Sequence, residues 1–587
     1  MPSPRAARVA DLPVRLADGV IVLLLALMAA IVVTGGWQVQ LSGRTVSMRS
    51  IDNLLLVVAV LIGGRLLRPD APLLWSRVTT IRSLADGSRA AWQRVHAWLT
   101  AIDRRGATRV ILILAVLATA LRLYNIVVHF GFITGDDVEI HEMTLGRVLG
   151  RPWPVWDLRS AFYPMTFIYP VQRAVAALGV TDVHVLVAAA RVAVSLIAAL
   201  NIALVYRAGR ALQWTRGPSL LAAGLFALNH LHLTYGSAEL PRVVATAFVL
   251  AGFCALRGPS MLHAGLAGIA LAIGACLRFG EVVFMAPALL TLIVWPASDL
   301  PHQRAGWSGH RGRLVLRALT FVVAGAATAA LVLGVSDALY WGSPFHSVSA
   351  IVDYTLVKKL SSRGYEPVFY YLTHVTAWSD GLLVVLAVLG ARLGGGLPLV
   401  WAVLPIGLLS LLPHKEPRYV IVTIPFLALA AGRTLWAWIE RLKAEPLTGL
   451  ADRAPMAALC LVLCLIGAAF FDVSRYRFRR SEDQVRLASR IADSGLRGVA
   501  AEQLWRFGGR LYLAASEPLI DLDPGRSDDD PALRAALCRP DVHWTALRRD
   551  RLSEARLGLL QACGFTSAFA DRAGTYVVYR KGGPLPP

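Results

Sequence analysis

Four carboxylates crowd into seven residues of an otherwise apolar chain, in the run Thr134-Gly135-Asp136-Asp137-Val138-Glu139-Ile140-His141-Glu142. Acids beside a hydrocarbon phase are costly unless they are solvated, used in capping or used in a reaction. Thr134 and Asp137 suit a capping box, with acids in a helix's first turn where the backbone dipole favours them. The chemical alternative is a carboxylate base at the mouth of a cavity beside the membrane. Partial burial would raise its pKa enough to take a proton from a hydroxyl at neutral pH. The residues alone leave both readings open.

A second constellation is His414-Lys415-Glu416-Pro417-Arg418-Tyr419. It reads either as an interfacial turn, with Pro417 starting the next helix and cations meeting lipid phosphates, or as a phosphate clamp oriented by Glu416. A third is Asp337-Ala338-Leu339-Tyr340-Trp341-Gly342-Ser343-Pro344-Phe345, followed by Gly364-Tyr365-Glu366-Pro367 and then Tyr370-Tyr371. These aromatics suit a membrane interface, or a surface on which a sugar ring stacks. Arg242 and Arg278 each abut a helix end, placed either to reach lipid headgroups or to join the clamp.

The elements that must position these residues are membrane helices. Hydrophobic residues make up 56% of the 587 positions and only 17% are charged, against roughly 25% in soluble domains. Such a chain needs many apolar segments of about 20 residues, and about 13 are legible by length. They fall near 19–35, 53–67, 109–130, 183–206, 217–233, 241–256, 261–277, 282–296, 315–335, 369–391, 397–413, 418–438 and 454–471. The net charge of +21 sits mostly as arginine in short loops and in no tail, so it sets orientation and argues against a nucleic-acid partner.

The basic N-terminus, the stretch from Arg65 to Arg109, and the loops at Arg207–Arg216, Arg304–Arg317 and Arg441–Arg453 alternate consistently onto one side. The positive-inside rule makes that side cytoplasmic. The other side receives loop 131–182, the turn at Glu239, stretch 337–366, the turn at His414, and the tail from Asp472. Met1–Ala17 lacks a small-residue cleavage site and reads as leading into a retained helix.

The expected organisation is an N-terminal hairpin of two spans with an interfacial segment carrying Trp75, Trp92 and Trp98 (1–108), a transmembrane domain (109–471), and an extracytoplasmic α/β domain (472–587). In the tail, Glu482–Ser494 has helical periodicity, while Arg510–Ala514 and Thr575–Tyr579 read as strands. Cys254, Cys276, Cys460 and Cys464 lie in apolar segments as small hydrophobes, and no metal site is expected among them. Whether Cys538 and Cys563 pair depends on an oxidising compartment.

The turn His414 to Tyr419 resembles the H-K-E-x-R-[FY] hallmark of the dolichyl-phosphate-mannose-dependent α-mannosyltransferases, glycosyltransferase family twenty-two of the GT-C superfamily. Asp337 to Pro344 is similar to a second stretch of that family. Asp136-Asp137 stands where GT-C enzymes carry an acidic pair, although the family usually has Asp-Glu, commonly after His-Pro. Where the family tends to have Arg-Pro, this chain has Arg278-Phe279. The resemblance covers roughly 109–440 and implies a polytopic α-helical membrane protein of GT-C type.

The implied activity is inverting, metal-independent transfer of a sugar, most simply mannose, from a polyprenyl-phosphate donor to a glycan, lipid or protein hydroxyl. Asp136 would be the general base, supported by Asp137. His414, Lys415, Arg418, Arg242 and Arg278 would hold the departing phosphate. Glu139, His141, Glu239, Asp337, Tyr340, Glu366 and Glu416 are supporting or sugar-binding candidates. The expected setting is a bacterial plasma membrane, with the site on its outer face. A transporter or flippase of lipid-linked sugars is the competing class. It would favour paired repeats and broken midplane helices, and neither is evident.

Overall fold

The structure, a computed structural model, describes residues 93–156, 158–294, 307–358, 365–379, 381–444, 481–522, 530–572 and 574–582, with parts of 16–61. The expected spans at 53–67 and 454–471, and Trp75, Trp92, Gly364, Cys460 and Cys464, lie largely or wholly outside the described residues. Between the first two apolar segments the backbone forms an antiparallel pair, β1 (Trp37–Leu41) and β2 (Arg44–Met48), which hydropathy does not signal.

Among the described residues four helices are long and apolar enough to cross a membrane: Arg104–Val128, Val183–Ala211, Gly312–Trp341 and Pro417–Glu440. Others are shorter than the apolar pattern predicts, and the reasons are local. The 217–233 segment breaks at Asn229, whose side chain caps the short helix His230–Tyr235. The 282–296 segment opens with a tight 3-10 turn, Phe279–Phe284, before Met285–Val294. The 369–391 segment breaks into short helices before Leu382–Gly390.

Pro417–Glu440 is buried along almost its whole apolar stretch, so it is the axis of the bundle. By contrast, Arg104–Val128 and Gly312–Trp341 point Leu112, Val116, Val322, Val323 and Leu331 outward. Those outward apolar stripes are the surface that a bilayer covers. Helix Met261–Leu277 packs on Trp307–Trp341 backbone to backbone, because a Cβ at Gly268 would stand 2.2 Å from the Phe321 carbonyl oxygen. Small residues permit such close packing where no hydrophobic drive separates helix from lipid.

At one end of this bundle lies the helix Gly135–Val148, here termed the acidic helix. The tail covers it with helical segments that pack in turn on a five-stranded sheet of order β4-β3-β5-β7-β6. β3 (Val499–Glu502) pairs parallel with β4 (Leu519–Leu522) and β5 (Trp544–Arg548); β7 (Tyr576–Lys581) runs antiparallel to β5 and to β6 (Phe565–Ala570). Alternation along β7 sends Tyr576 and Val578 to one core and Val577 and Tyr579 to the other, so helices cover both faces. Cys538 and Cys563, at the ends of helices Pro531–Leu537 and Glu554–Ala562, form a disulfide with Cα atoms 4.8 Å apart.

The strand expected at Arg510–Ala514 is instead a short helix, Gly509–Leu513. Its alternating leucines serve two different cores: Leu511 packs toward the acidic helix and Leu513 into the sheet. A helical turn, not a pleat, reaches both. Thr575–Tyr579 overlaps β7, and Glu482–Ser494 matches the helix Glu482–Asp493.

Tail and membrane-end residues share one core. Val138, Leu145 and Val148 of the acidic helix pack with Leu186 and Val187 and with Val485 and Leu511 of the tail. Phe132 N–H donates to Ser481 Oγ at 3.0 Å, and Ser481 N–H donates back to the Phe132 carbonyl at 3.3 Å. At Gly131 a Cβ would come within 2.5 Å of the Ser481 backbone. Gly131→Leu is therefore expected to pry the tail from the acidic helix, costing about 1–3 kcal/mol. Thermal unfolding in detergent and the rate of limited proteolysis of the tail measure it; an unchanged Tm and unchanged cleavage would contradict this packing.

Candidate active site

Adjacent acids in the first turn of the acidic helix have opposite surroundings. Asp137 is fully buried; its Oδ2 accepts from Ile133 N–H and its Oδ1 from Thr134 Oγ1, both at 2.9 Å. It closes the helix start, but not as the expected capping box: Thr134 makes no side-chain cap, and its hydroxyl donates to Asp137 instead. Burial, then the charge of Glu239, pushes its carboxyl up to about 6, against those two hydrogen bonds.

Asp136 keeps some exposure. Its Oδ2 lies 2.9 Å from Arg418 Nη1 and its Oδ1 3.1 Å from Arg159 Nη2. Burial alone would raise its pKa, but the guanidinium of Arg418, then those of Arg159, Arg278 and Arg242, hold it well below the usual carboxylate range. It is a fixed anion among cations.

Asp136 lines a cavity of about 630 Å³ together with Arg159, Arg242, Arg278, Arg418 and His414. Apolar side chains complete the wall, among them Leu277, Val282, Val352, Leu408 and Leu412. The cations gather around Tyr419: Arg242 and Arg278 stand 4.4 Å and 5.1 Å from its ring centre, and His414 meets it edge-on at 6.0 Å. Like charges held this close repel unless an anion joins them. Arg242 Nε and Nη1 are buried without a hydrogen-bond partner among the described residues, its nearest acid being Glu281 at 3.9 Å. His414 Nδ1 is also orphaned, while Nε2 faces Glu416 Oε1 at 3.1 Å. Glu416 holds Arg418 through a short ion pair, and Arg418 Nη1 also donates to Thr134 Oγ1 at 3.0 Å. The orphaned N–H groups of Arg242 fit an anion with several acceptor oxygens.

Beside the cavity is a buried polar network. Glu239 lies 2.7 Å from Arg191 Nε and 2.9 Å from His141 Nε2, all three fully or almost fully buried. Gln172 Nε2 donates to His141 Nδ1 at 2.9 Å, which leaves Nε2–H to face Glu239. Burial would raise Glu239, but Arg191 and His141 outweigh it and keep the carboxyl far below its ordinary value. Arg191 also donates to the Phe130 and Gly131 carbonyls, and Tyr163 Oη to the Glu239 carbonyl. This network locks the loop that leads into the acidic helix.

Of the candidates read from sequence, Asp136, His414, Arg418, Arg242 and Arg278 meet at one cavity. Lys415 does not line it; its ammonium donates to the Glu366 and Leu412 carbonyls and braces the turn. Glu366 enters through that carbonyl and through its own N–H, given to Pro413. Asp337 caps the helix His346–Val352 by accepting from Ser347 N–H and Oγ, and Tyr340 lies under Arg147 at 4.3 Å. Glu139 pairs with Arg159, and His141 and Glu239 pair with each other.

Arg159, Arg191, Glu281, Trp156 and Tyr354 are absent from the sequence-based candidates. Arg191 had a signal, a charge in the apolar body of the long helix Val183–Ala211, well before Arg207 and Arg210 at its end. Arg159 had none, because no local spacing ties it to Asp136.

Comparison with known proteins bears on this geometry. The sequence profile of the Alg9-like mannosyltransferase family matches residues 138–479, more than half of the chain, starting just after the acidic pair. No curated protein matches the chain by sequence. In fold the chain is similar to ArnT from Cupriavidus metallidurans, with a TM-score of 0.52 in the apo state and 0.50 bound to undecaprenyl phosphate. Both comparisons have 14% identity and cover 81% of this chain and 98% of that one. It is similar also to the apo oligosaccharyltransferase of Archaeoglobus fulgidus, with a TM-score of 0.50 and 11% identity over 82% of this chain and 75% of that one.

One acid at the edge of this site should report on pH. Glu142 accepts from Arg510 N–H of the tail at 2.9 Å, and burial pushes its carboxyl from 4.5 up to about 7. A raised acid favours the folded state fully below its ordinary value, and that contribution is lost as pH rises through about 7. Glu142→Gln keeps an acceptor for Arg510 without the charge. It should match the wild type near pH 4.5 and unfold at a higher temperature near pH 8. Equal melting of the two chains at both pH values would refute the assignment.

Proposed function

The chain belongs to the Alg9-like mannosyltransferase family, and on that premise we propose that it transfers mannose from a polyprenyl-phosphate donor to an acceptor hydroxyl outside the cytoplasm. The observation that carries the reading is the shared cavity, in which the Asp136 carboxylate faces a group of arginines, Arg242 among them with orphaned N–H donors. The apolar part of the same wall suits a lipid tail. The ArnT structure similar in fold was solved with undecaprenyl phosphate, which supports a donor of that kind.

In the proposed reaction the acceptor oxygen attacks the anomeric carbon, and the carbon–oxygen bond to the lipid phosphate breaks with inversion. The electron pair leaves on the phosphate oxygen, where Arg242, Arg278, Arg418 and His414 offset the growing charge. The hydroxyl proton passes to Asp136. An anion with depressed pKa can do this late in the step, once bond formation has made the attacking oxygen strongly acidic. Asp137 supports by holding the helix start, its own oxygens being occupied. The scheme needs no divalent metal, because guanidinium groups supply the positive charge.

The arginine bias of the loops supports an extracytoplasmic site. A disulfide in the tail supports the same side, since such bonds persist in oxidising compartments. Arginine-rich usage and the N-terminal hairpin favour a bacterial plasma membrane.

Purified protein given polyprenyl-phospho-mannose and an acceptor should release polyprenyl phosphate. Asp136→Asn should slow that release about 10²–10⁴-fold with its size-exclusion profile unchanged. Full turnover by the variant would reject Asp136 as the base, and lipid movement across vesicles without sugar transfer would favour a flippase.

A further inference from the structure

The charged side chains at the cavity and their direct partners balance. Asp136, Glu139, Glu416 and Glu281 stand against Arg159, Arg418, Arg242 and Arg278. Apolar side chains make up much of the wall, so a surplus charge there is costly. An entering lipid phosphodiester brings one negative charge that the site, as it stands, does not offset.

Glu281 is the member able to change. Asp136 lies 2.9 Å from Arg418 and 3.1 Å from Arg159, Glu139 accepts from Arg159 Nε at 2.7 Å, and Glu416 closes on Arg418. Glu281 is only 3% exposed and lines the same cavity, yet its carboxylate accepts no hydrogen bond among the described residues. Its ion pair, Oε1 to Arg242 Nε at 3.9 Å, is longer than a hydrogen bond. The cause is local. Arg242 lies over the Tyr419 ring, 4.4 Å from its centre, while the Glu281 N–H donates to the Arg278 carbonyl at 3.0 Å and fixes the acid in the turn Phe279–Phe284.

A phosphate oxygen accepting from the orphaned Arg242 Nε comes to the same atom that Glu281 Oε1 faces. Two oxyanions that close repel, and the one without a hydrogen bond is the cheaper to protonate. Once protonated, Glu281 donates to that oxygen and the charges balance again. Arg242 and Arg278 are the charged groups that face it. Of the elements packed on its turn, Gly396–Leu409 and Met285–Val294 carry no titratable side chain; Met261–Leu277 brings Cys276 and, at its far end, His263.

We infer that Glu281 takes up a proton when a lipid phosphodiester enters the cationic group, so that donor and proton bind together. This rests on the donor site read above. Isothermal titration calorimetry of the full chain in detergent tests it, with polyprenyl methyl phosphate as the probe. That diester holds one fixed charge, so any proton taken up belongs to the protein. Heats in two buffers of different ionisation enthalpy give the proton count, and no turnover is needed.

Between about pH 6 and pH 8.5 uptake by the wild type should peak above about half a proton per diester, and Kd should rise with pH toward about tenfold per unit. Glu281→Gln imitates the protonated acid. It should bind with a flat Kd and little uptake, and more tightly than the wild type at the alkaline end. His414→Gln should keep the uptake. Wild-type binding without uptake overturns this inference alone, as does uptake that survives in Glu281→Gln or disappears in His414→Gln. No binding by the wild type rejects the donor site itself and this inference with it. If Glu281→Gln does not fold, the wild type and His414→Gln still decide.

Discussion

The contact on which the rest of the site depends is the ion pair between Asp136 and Arg418. It ties the acidic helix, early in the chain, to the turn that opens the central buried helix. Each partner has a second ion pair, Arg418 with Glu416 and Asp136 with Arg159, so the contact is one link in a chain of charges. Its geometry is set from both ends. Asp136 stands in a first turn closed by Asp137, and Arg418 is held by Glu416, which His414 in turn contacts. Thr134 meets both Asp137 and Arg418, so the capping contacts and the ion pair form one unit. Two readings of the acidic run that looked exclusive are divided between neighbouring residues.

A rigid outer end is what keeps this pair aligned. Below, Arg191 neutralises buried Glu239, which His141 also faces, and grips the Phe130 and Gly131 carbonyls. Above, the tail lays Val485 and Leu511 on the acidic helix, and Ser481 exchanges hydrogen bonds with Phe132 through its backbone N–H and its hydroxyl. The tail also has internal reasons to stay folded: Glu502 is buried but pairs with Arg556 and accepts the Arg548 N–H. A catalytic carboxylate on a mobile loop would lose the orientation that proximity effects require. Here the loop is clamped between two packed bodies.

Much of this was legible in the sequence, for physical reasons that also mark its limits. Apolar length revealed membrane helices because hydrocarbon thickness sets their size, and arginine bias revealed which loops gather on one side. The turn His414–Tyr419 was legible because several charges stand in one short run. Its Lys415 was expected among the phosphate ligands; sequence gives a side chain's charge and not its direction, and here the ammonium donates to the Glu366 and Leu412 carbonyls. Arg510–Ala514 alternates like a strand, yet its leucines serve two cores that no local pattern encodes. Arg159 was invisible because its partners, Glu139 and Asp136, reach it only through a folded loop.

The depressed basicity of Asp136 looks unfavourable for a general base, but the electrostatics argue otherwise. A strongly basic carboxylate in this cavity would be protonated or would bind the cations too tightly to release them. Asp136 stays ionised and shares Arg418 with the group proposed to hold the donor, so an incoming phosphate competes for the same guanidinium. As the phosphate draws Arg418 toward itself, the charge stabilising Asp136 weakens and its affinity for a proton rises. Donor binding would thereby increase the strength of the base only when there is a sugar to transfer. Asp137 is not placed for this role, because its oxygens already accept from Ile133 and Thr134 and it does not line the cavity.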